Sequence, residues 1–229
     1  MTIAFDTSAT ASGSLTTYTM SLTPTGTLNA VCVLISSNQA FSTATITSVE
    51  YGGVTMTQEA LEDKTTGENA WTAIYTLYSG IPAGSQDAVV VMSNATTARL
   101  MCAFGLNGDA PMSTVTTTAY QNDNVADPTA TLSLGGITSY CAQAIYTGKS
   151  ATTGWSPLAG WGSDFNHEID FGPSTGGLES YDTIASADVT IGFTQTADDA
   201  MMMGIAIRES AGGGGSIIPQ IMHNRRMQQ

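Results

Sequence analysis

Residues 46–57 read Ile46-Thr47-Ser48-Val49-Glu50-Tyr51-Gly52-Gly53-Val54-Thr55-Met56-Thr57, two runs of β-forming residues on either side of a glycine pair. Valine, isoleucine, tyrosine and threonine are enriched in strands, and glycine permits the positive φ angles of a two-residue hairpin turn. The stretch therefore predicts a β-hairpin. The rest of the chain repeats this pattern, with short apolar runs separated by turn residues.

Period-two alternation continues through the first 210 residues. In residues 71–78, for example, Trp71, Ala73, Tyr75 and Leu77 share one face of an extended chain. Further strands are expected near residues 15–22, 29–36, 88–92, 99–106, 112–119, 129–134, 138–147, 179–185, 188–194 and 200–208. No helical periodicity extends beyond two turns. Roughly eleven or twelve short strands predict an all-β fold, a jelly-roll-like antiparallel β-sandwich over residues 1–210.

The most apolar runs predict the central strands of the sheets. Residues 30–35, 100–104 and 201–207 are almost continuously apolar, as expected of strands that are buried on both faces. The three cysteines, Cys32, Cys102 and Cys141, each lie in an apolar run, which favours buried free thiols. One disulfide with an odd thiol left over is the alternative.

Charge is distributed unevenly along the chain. All 19 acidic residues but only four of the six basic residues lie in residues 1–210, which gives this body a formal charge of −15. Such a charge disfavours nucleic acid and anionic membranes as partners, because like charges repel before contact. The sequence shows no secretory signal and no membrane-spanning apolar run, so we expect synthesis in a bacterial cytoplasm.

A glycine-rich segment, residues 211–215, predicts a flexible linker between this body and a tail of opposite charge. Residues 216–229 contain two arginines and no acid, and they are too few to bury a core of their own. We expect them to form an attachment arm. Its predicted partner-binding residues are Ile217, Ile218, Ile221, Arg225 and Arg226. An engineered Gly-Gly-Gly-Gly-Ser linker is the alternative explanation of the glycines.

Residues 149–177 interrupt the strand pattern with a stretch rich in glycine, serine, proline and aspartate. Loops of this length within a compact domain are usually functional or disordered, and the aromatic residues favour function. Trp155 and Trp161 would stack on a sugar, and Asp164 would accept hydrogen bonds from it. This arrangement supports a second hypothesis, a carbohydrate- or receptor-binding module.

Motifs for nucleotide and metal binding are incomplete. Gly148-Lys149-Ser150 resembles the end of a phosphate-binding loop, but the required upstream glycine is replaced by Gln143. Residues 164–170 place oxygen-bearing side chains at alternate positions, as a calcium loop does, yet Ile169 and Thr175 occupy its glycine and glutamate positions. The alternation is therefore more typical of a strand with one polar face than of a metal site.

Catalytic constellations are also lacking in the sequence. The chain has two histidines, His167 and His223, and no Gly-x-Ser-x-Gly nucleophile motif. Two carboxylates facing each other across a cleft, as in glycosidases, would leave no sequence signature. We expect no enzymatic activity, no cofactor and no resident metal.

Several motifs together resemble a known class of proteins. They are the hairpin at residues 48–57, residues 75–78 followed by Pro82-Ala83-Gly84 and residues 89–91, and the run at residues 102–108 before Pro111. The sequence resembles β-sandwich structural proteins of tailed bacteriophages and prophages, in which a V-x-Y-G-G hairpin, a P-x-G turn and an A-x-S-F-x-G strand recur in that order. The resemblance covers roughly residues 28–112, with a weaker echo in residues 201–209, and the serine of the last motif is missing here.

This resemblance implies a non-enzymatic virion protein, such as a capsid decoration protein, a head fibre or a tail appendage. The implied partners are other virion proteins and further copies of the chain in a homo-oligomer, with a host-surface glycan as an additional partner. The implied location is the virion. The resemblance carries no catalytic residues to transfer.

Overall fold

A computed structural model describes residues 3–39, 41–64, 69–95, 98–149, 155–172, 174–181 and 183–210. Over these residues the chain consists of antiparallel strands and turns, with one short 3₁₀ helix at Phe41–Thr43. No helix in the described part of the chain has the length and apolar character needed to cross a membrane. The predicted all-β fold is confirmed.

The first half of the chain forms two facing sheets, whose strands are β1 (Ala4–Gly13), β2 (Thr17–Leu22), β3 (Ala30–Ser37), β4 (Ile46–Tyr51), β5 (Val54–Thr55), β6 (Thr57–Lys64), β7 (Ala70–Leu77), β8 (Gln86–Met92) and β9 (Arg99–Asn107). The sheet orders are β1-β9-β3-β7-β6 and β2-β8-β4-β5. Only Met56 separates β5 from β6, so one extended segment joins the edges of both sheets. The pairs β1–β9, β2–β8, β3–β7 and β4–β5 make this half a jelly roll, called here the N-terminal roll.

The second half repeats this plan with β10 (Met112–Val125), β11 (Thr129–Leu132), β12 (Tyr140–Thr147), β13 (Trp155–Pro157), β14 (Trp161–Asp170), β15 (Thr175–Tyr181), β16 (Val189–Gln195) and β17 (Asp198–Glu209). Its sheet orders are β10-β17-β12-β15-β14 and β11-β16-β13. These orders match those of the first half, except that β5 has no counterpart among the described strands, and we call this half the C-terminal roll. Residues 1–210, predicted as one sandwich, therefore contain two jelly rolls of the same topology.

The two rolls pack against each other through their five-stranded sheets. Strand β3 contacts β12, β9 contacts β15, and β7 contacts β17, while the edge strands β1 and β6 contact β14 and β10. An approximate twofold axis between β3 and β12 relates these contacts in pairs. The contact of β9 with β15 is equivalent to that of β17 with β7, and the contact of β1 with β14 is equivalent to that of β10 with β6. The Ser36 hydroxyl donates a hydrogen bond of 2.6 Å across this interface to the carbonyl oxygen of Ile145.

This arrangement buries both faces of the two five-stranded sheets, which we call the inner sheets. Along β3, the odd-numbered residues Val31, Val33 and Ile35 pack in the core of the N-terminal roll. The even-numbered residues Ala30, Cys32 and Leu34 pack in a shared core between the rolls. Continuous apolar runs arise because neither face of the strand meets water. The prediction that these runs form central strands is confirmed.

All three cysteines are buried and free. Cys32 and Cys102 lie in the shared core, whereas Cys141 lies in the core of the C-terminal roll. Burial raises the pKa of Cys141 to about 12 and raises the pKa values of Cys32 and Cys102 well above their usual range. The prediction of buried free thiols is confirmed.

The predicted hairpin is also confirmed. Tyr51 pairs with Val54 in β4 and β5, and the turn residues Gly52 and Gly53 have φ angles of 55° and 80°. A Cβ atom at Gly52 would lie 2.8 Å from Cγ of Pro82, so the turn needs glycine for space as well as for conformation.

The prediction of a long loop at residues 149–177 is wrong, because β13, β14 and the first three residues of β15 lie there. The alternation in residues 164–170 belongs to β14, so its interpretation as a strand is confirmed. Glycines that suggested a loop instead make room for aromatic rings. A Cβ atom at Gly177, within β15, would lie 2.8 Å from Cη2 of Trp155.

Candidate functional site

Two of the three predicted ligand-binding residues are core residues. Trp155 and Trp161 are 9% and 7% exposed and pack in the core of the C-terminal roll. Trp155 meets Phe193 edge to face at 5.9 Å between ring centroids, and Trp161 meets Tyr181 at 5.2 Å. The indole N–H of Trp161 donates to the carbonyl oxygen of Thr190 at 3.1 Å. Because both rings are enclosed by the roll, they do not form the exposed stacking platform that the sequence predicted.

Asp164, the third predicted residue, is exposed and lines a shallow depression at the seam between the two rolls. This seam depression has a volume of about 250 Å³. Its wall includes Phe5 from the N-terminal roll and Tyr140, Tyr181 and Ile184 from the C-terminal roll. Aromatic and aliphatic surface therefore surrounds a single described carboxylate.

Local backbone geometry positions Asp164. The pairing of β14 with β15 is irregular between Trp161 and Asn166. Within this irregularity, the backbone N–H groups of Asp164 and Phe165 both donate to the hydroxyl oxygen of Ser180, at 3.0 and 3.2 Å. The Asp164 carboxylate thereby reaches Tyr140, whose hydroxyl donates to Oδ2 at 2.9 Å.

The electrostatics of this pair leave the depression negative. Burial, reinforced by the Asp164 carboxylate, raises the pKa of Tyr140 far above its usual value, so the phenol stays protonated and neutral. Oδ2 of Asp164 accepts the hydrogen bond from the Tyr140 hydroxyl, whereas Oδ1 accepts no hydrogen bond from the described residues. A carboxylate beside aromatic rings suits a cationic group, particularly a guanidinium with apolar neighbours.

The equivalent seam between the two rolls, on the other side of the approximate twofold axis, is bridged by a hydrogen bond. Leu106 pairs with both Phe5 and Ala30, and Ile207 pairs in the same way with Thr114 and Tyr140. Thr114 therefore occupies the position that corresponds to Phe5. Its hydroxyl shares a hydrogen bond of 2.7 Å with the hydroxyl of Tyr78, which joins the two rolls at that seam.

The five predicted arm residues, Ile217, Ile218, Ile221, Arg225 and Arg226, lie outside the described residues, as does the linker at 211–215. The described chain ends at Ser210, whose N–H donates to the carbonyl oxygen of Pro111 at 2.7 Å. Tyr140 of the seam depression pairs with Ile207, three residues before Ser210. The depression and the start of the linker therefore lie at the same end of the C-terminal roll.

A buried polar group in the C-terminal roll was not predicted. Gln143 accepts a hydrogen bond from the N–H of Gly192 at 2.9 Å and donates to the carboxylate of Glu179 at 2.8 Å. Glu179 is fully buried, and this burial raises its pKa to about 7 despite the hydrogen bond from Gln143. Their strands β12 and β15 are buried on both faces, and nothing local in the sequence indicates that these two residues meet.

His167 and Lys149, from the motifs considered in the sequence, make structural contacts in the described part of the chain. His167 stacks on Phe165 at 6.0 Å between ring centroids, and burial lowers its pKa. Lys149, from the apparent phosphate-loop motif, forms an ion pair with Asp198 at 2.7 Å. No group of three or more histidine, cysteine, aspartate or glutamate residues in the described ranges is arranged to hold a metal ion.

Comparison of the chain with protein-family models, curated proteins and solved structures gives no match. The likeness to phage structural proteins therefore stays an interpretation of sequence motifs. In the fold, two of those motifs are in contact, because the Gly52 turn packs on Pro82. A third lies in β9, between β1 and β3 in the five-stranded sheet of the N-terminal roll.

Proposed function

We propose that this protein is a non-enzymatic structural component of a tailed-phage virion, held in a larger assembly by its C-terminal arm. The capsid decoration protein, the head fibre and the tail appendage all fit this description. The observation that carries the proposal is the contrast between a closed, acidic double roll and the short basic segment that a glycine-rich linker joins to it.

The surface of the body supports this division of roles. Leu15 and Ile184, at 49% and 39%, are the large hydrophobic side chains exposed among the described residues, and they do not form an extended apolar patch. Stable protein interfaces generally have an apolar centre. The arm supplies apolar and basic residues together, so it is better suited than the body to make a lasting contact.

The fold is compatible with this role. Jelly rolls occur in viral capsid proteins, in lectins and in cupins. The sequence motifs favour the virion among these alternatives. Packing two rolls back to back also lengthens the body without exposing the apolar faces of its inner sheets.

The experiment is incorporation into particles. Phage particles made with the full-length chain or with a chain that ends at Gly212 are purified on density gradients, and copies per particle are counted by quantitative mass spectrometry. We expect the full-length chain at a fixed copy number and the shortened chain at the top of the gradient, soluble and with an unchanged melting temperature. A chain that ends at Met227, which keeps all five predicted contact residues, is the matched control.

Two outcomes would contradict the proposal in different ways. Full occupancy of particles by the chain that ends at Gly212 would show that the arm is not the attachment element. Absence of the full-length chain from purified particles would show that the protein is not a virion component.

A further inference from the structure

We infer that the seam depression binds Arg225 and Arg226 of the chain's own arm and holds the arm against the body until an assembly partner displaces it. This inference rests on the proposed function, in which the arm is the attachment element. It adds a specific site on the body and a state of the free protein.

The chemistry of the depression matches an arginine. Asp164 presents an exposed carboxylate, and one of its oxygens is already oriented by Tyr140 at 2.9 Å. A guanidinium can form hydrogen bonds to a carboxylate while its flat face stacks on an aromatic ring, which Phe5 and Tyr181 provide. Ile184, 39% exposed at the edge, offers apolar contact to the residues around the arginines.

Charge favours the same pairing. The body carries −15, whereas residues 216–229 contain Arg225 and Arg226 and no acid. The described wall of the depression contains no lysine or arginine, so no described cation there compensates the charge of Asp164. A basic peptide is therefore attracted to this end of the molecule before it makes contact.

The linker makes the chain's own arm the favoured occupant. Fifteen residues lead from Ser210 to Arg225, and a glycine-rich chain of this length would span about 20 Å on average and about 50 Å when extended. The row of paired residues that contains Tyr140 lies three residues, or about 10 Å, from Ser210. A short flexible tether gives an effective concentration in the millimolar range, far above that of other chains in dilute solution.

Docking of this kind would regulate assembly. An arm held in the seam depression of its own chain is withheld from other chains, so free protein stays monomeric at low concentration. A partner that binds the arm more tightly than the depression does would release it, because the two sites compete for the same arginines.

The test uses the full-length chain with a photo-crosslinking amino acid in place of Ile184, at the exposed edge of the depression. Equal amounts of ¹⁵N-labelled and unlabelled chains are mixed, irradiated and analysed by mass spectrometry. We expect cross-links from position 184 to residues 216–229 within one isotopic chain. The variant Asp164→Asn should reduce their yield about tenfold, as loss of a charge-assisted contact implies.

Two further variants sharpen the result. Glu168→Gln removes an exposed charge from the same strand but outside the depression, and it should leave the cross-links unchanged. Asp164→Arg should abolish them, and combining it with Arg225→Asp and Arg226→Asp should restore them. Restoration by exchanged charges would not occur if the first substitution had simply disturbed the fold.

Several outcomes would overturn the inference. One is cross-links that form predominantly between differently labelled chains. Another is cross-links from position 184 that do not reach residues 216–229. A third is binding to a glycan array that depends on Asp164 while the tail does not cross-link to the depression. Failure here is distinguishable from failure of the proposed function. If Asp164→Asn leaves tail cross-links intact while the chain that ends at Gly212 is still excluded from particles, only the docking site is wrong.

Discussion

The two rolls share one strand order but fill equivalent core positions with different chemistry. In the N-terminal roll, Val33 pairs with Ala103 and Tyr75. In the C-terminal roll, the corresponding row contains Gln143, which pairs with Gly204 and Glu179. A buried apolar row in one roll is thus a buried polar row in the other, which shows that the topology does not depend on a particular core composition.

The polar row is compatible with burial because it bonds to the facing sheet. Gln143 both accepts from the N–H of Gly192 and donates to its carbonyl oxygen, in effect adding a main-chain-like pair across the roll. Gly192 has a φ of 146°, and a Cβ atom there would lie 2.3 Å from the carbonyl oxygen of Pro128. Only glycine allows this approach, so the polar row needs a specific backbone that the apolar row does not need.

The largest effect should come from damage to the core that both rolls share. Phe104 is fully buried there and packs on Tyr140 and Phe165 at 5.7 and 5.1 Å between ring centroids. The variant Phe104→Ala should lower the free energy of unfolding by about 3–5 kcal/mol. Denaturant unfolding followed by tryptophan fluorescence measures this, with Trp71 reporting on the N-terminal roll and Trp155 on the C-terminal roll.

Single-tryptophan versions of the parent and of this variant should give coincident transitions, because one core stabilises both rolls. Phe193→Ala, a deletion of the same size within the C-terminal roll alone, is the matched comparison. If the Trp71 and Trp155 signals separate by more than experimental error in the parent, the rolls are independent domains.

The polar row should make stability depend on pH. Since burial raises the pKa of Glu179 from 4.5 to about 7, the folded chain holds this proton more tightly than the unfolded chain does. Its contribution is therefore fully present below pH 4.5, is lost as pH rises toward 7 and changes little above that, by about 3 kcal/mol in all. Glu179→Gln should remove this slope from the pH dependence of the free energy of unfolding.

Tyr75→Phe, at the equivalent position of the N-terminal roll, provides the control. It removes a hydrogen bond of 2.8 Å to Gln58, so its effect should be nearly constant across this pH range. A parent and a Glu179→Gln variant with parallel pH profiles would show that Glu179 is not buried as described.

A smaller effect on stability is expected from removal of an ion pair, and its size should depend on whether the pair is buried between the rolls or partly exposed within one roll. Lys64 of the N-terminal roll has a side chain only 1% exposed and contacts Asp123 and Asp199 of the other roll, the latter at 3.4 Å. Lys64→Met should destabilise the protein by about 2 kcal/mol, because burial makes loss of a cation between carboxylates expensive. Lys149→Met, which removes a pair within the C-terminal roll that is 23% exposed at the lysine, should change stability by less than about 1 kcal/mol. Equal effects in thermal unfolding would contradict this ranking.

For thiol labelling we expect no difference in rate between the two rolls. Cys32 and Cys102 lie in the shared core and Cys141 lies in the C-terminal roll, so thiol labelling compares the opening of the two regions. In native conditions all three should react at one slow rate, set by global unfolding. Faster labelling of Cys141 alone, measured by mass spectrometry, would show that the C-terminal roll opens by itself.

Sequence patterns correctly predicted the strands that flank a clear turn and the strands that are buried on both faces. The Gly52–Gly53 hairpin and the doubly buried runs were recognisable because turn chemistry and continuous apolar sequence have single explanations. The duplication was not predicted, because equivalent positions such as Val33 and Gln143 share no chemistry. The weak motif echo in residues 201–209 falls on β17, which is the counterpart of β9.

The candidate site was predicted only in part. Asp164 lies in the seam depression, but Phe5 and Tyr140 join it from strands that are distant in sequence, and no local pattern could indicate that meeting. Trp155 and Trp161 were misplaced because glycines next to aromatics suggested a loop. In the fold, Gly177 of β15 instead allows the Trp155 ring to pack closely on that strand.

Hydrogen–deuterium exchange of the full-length chain and of the chain that ends at Gly212 tests most directly whether the double roll is a self-sufficient body with a separate arm. We predict equal protection of β3, β9, β12 and β17 in both chains. Protection around residues 161–166 and 183–184, beside the seam depression, should fall in the shortened chain. Loss of protection throughout β17 and the C-terminal roll would contradict this, because it would make the tail part of the fold.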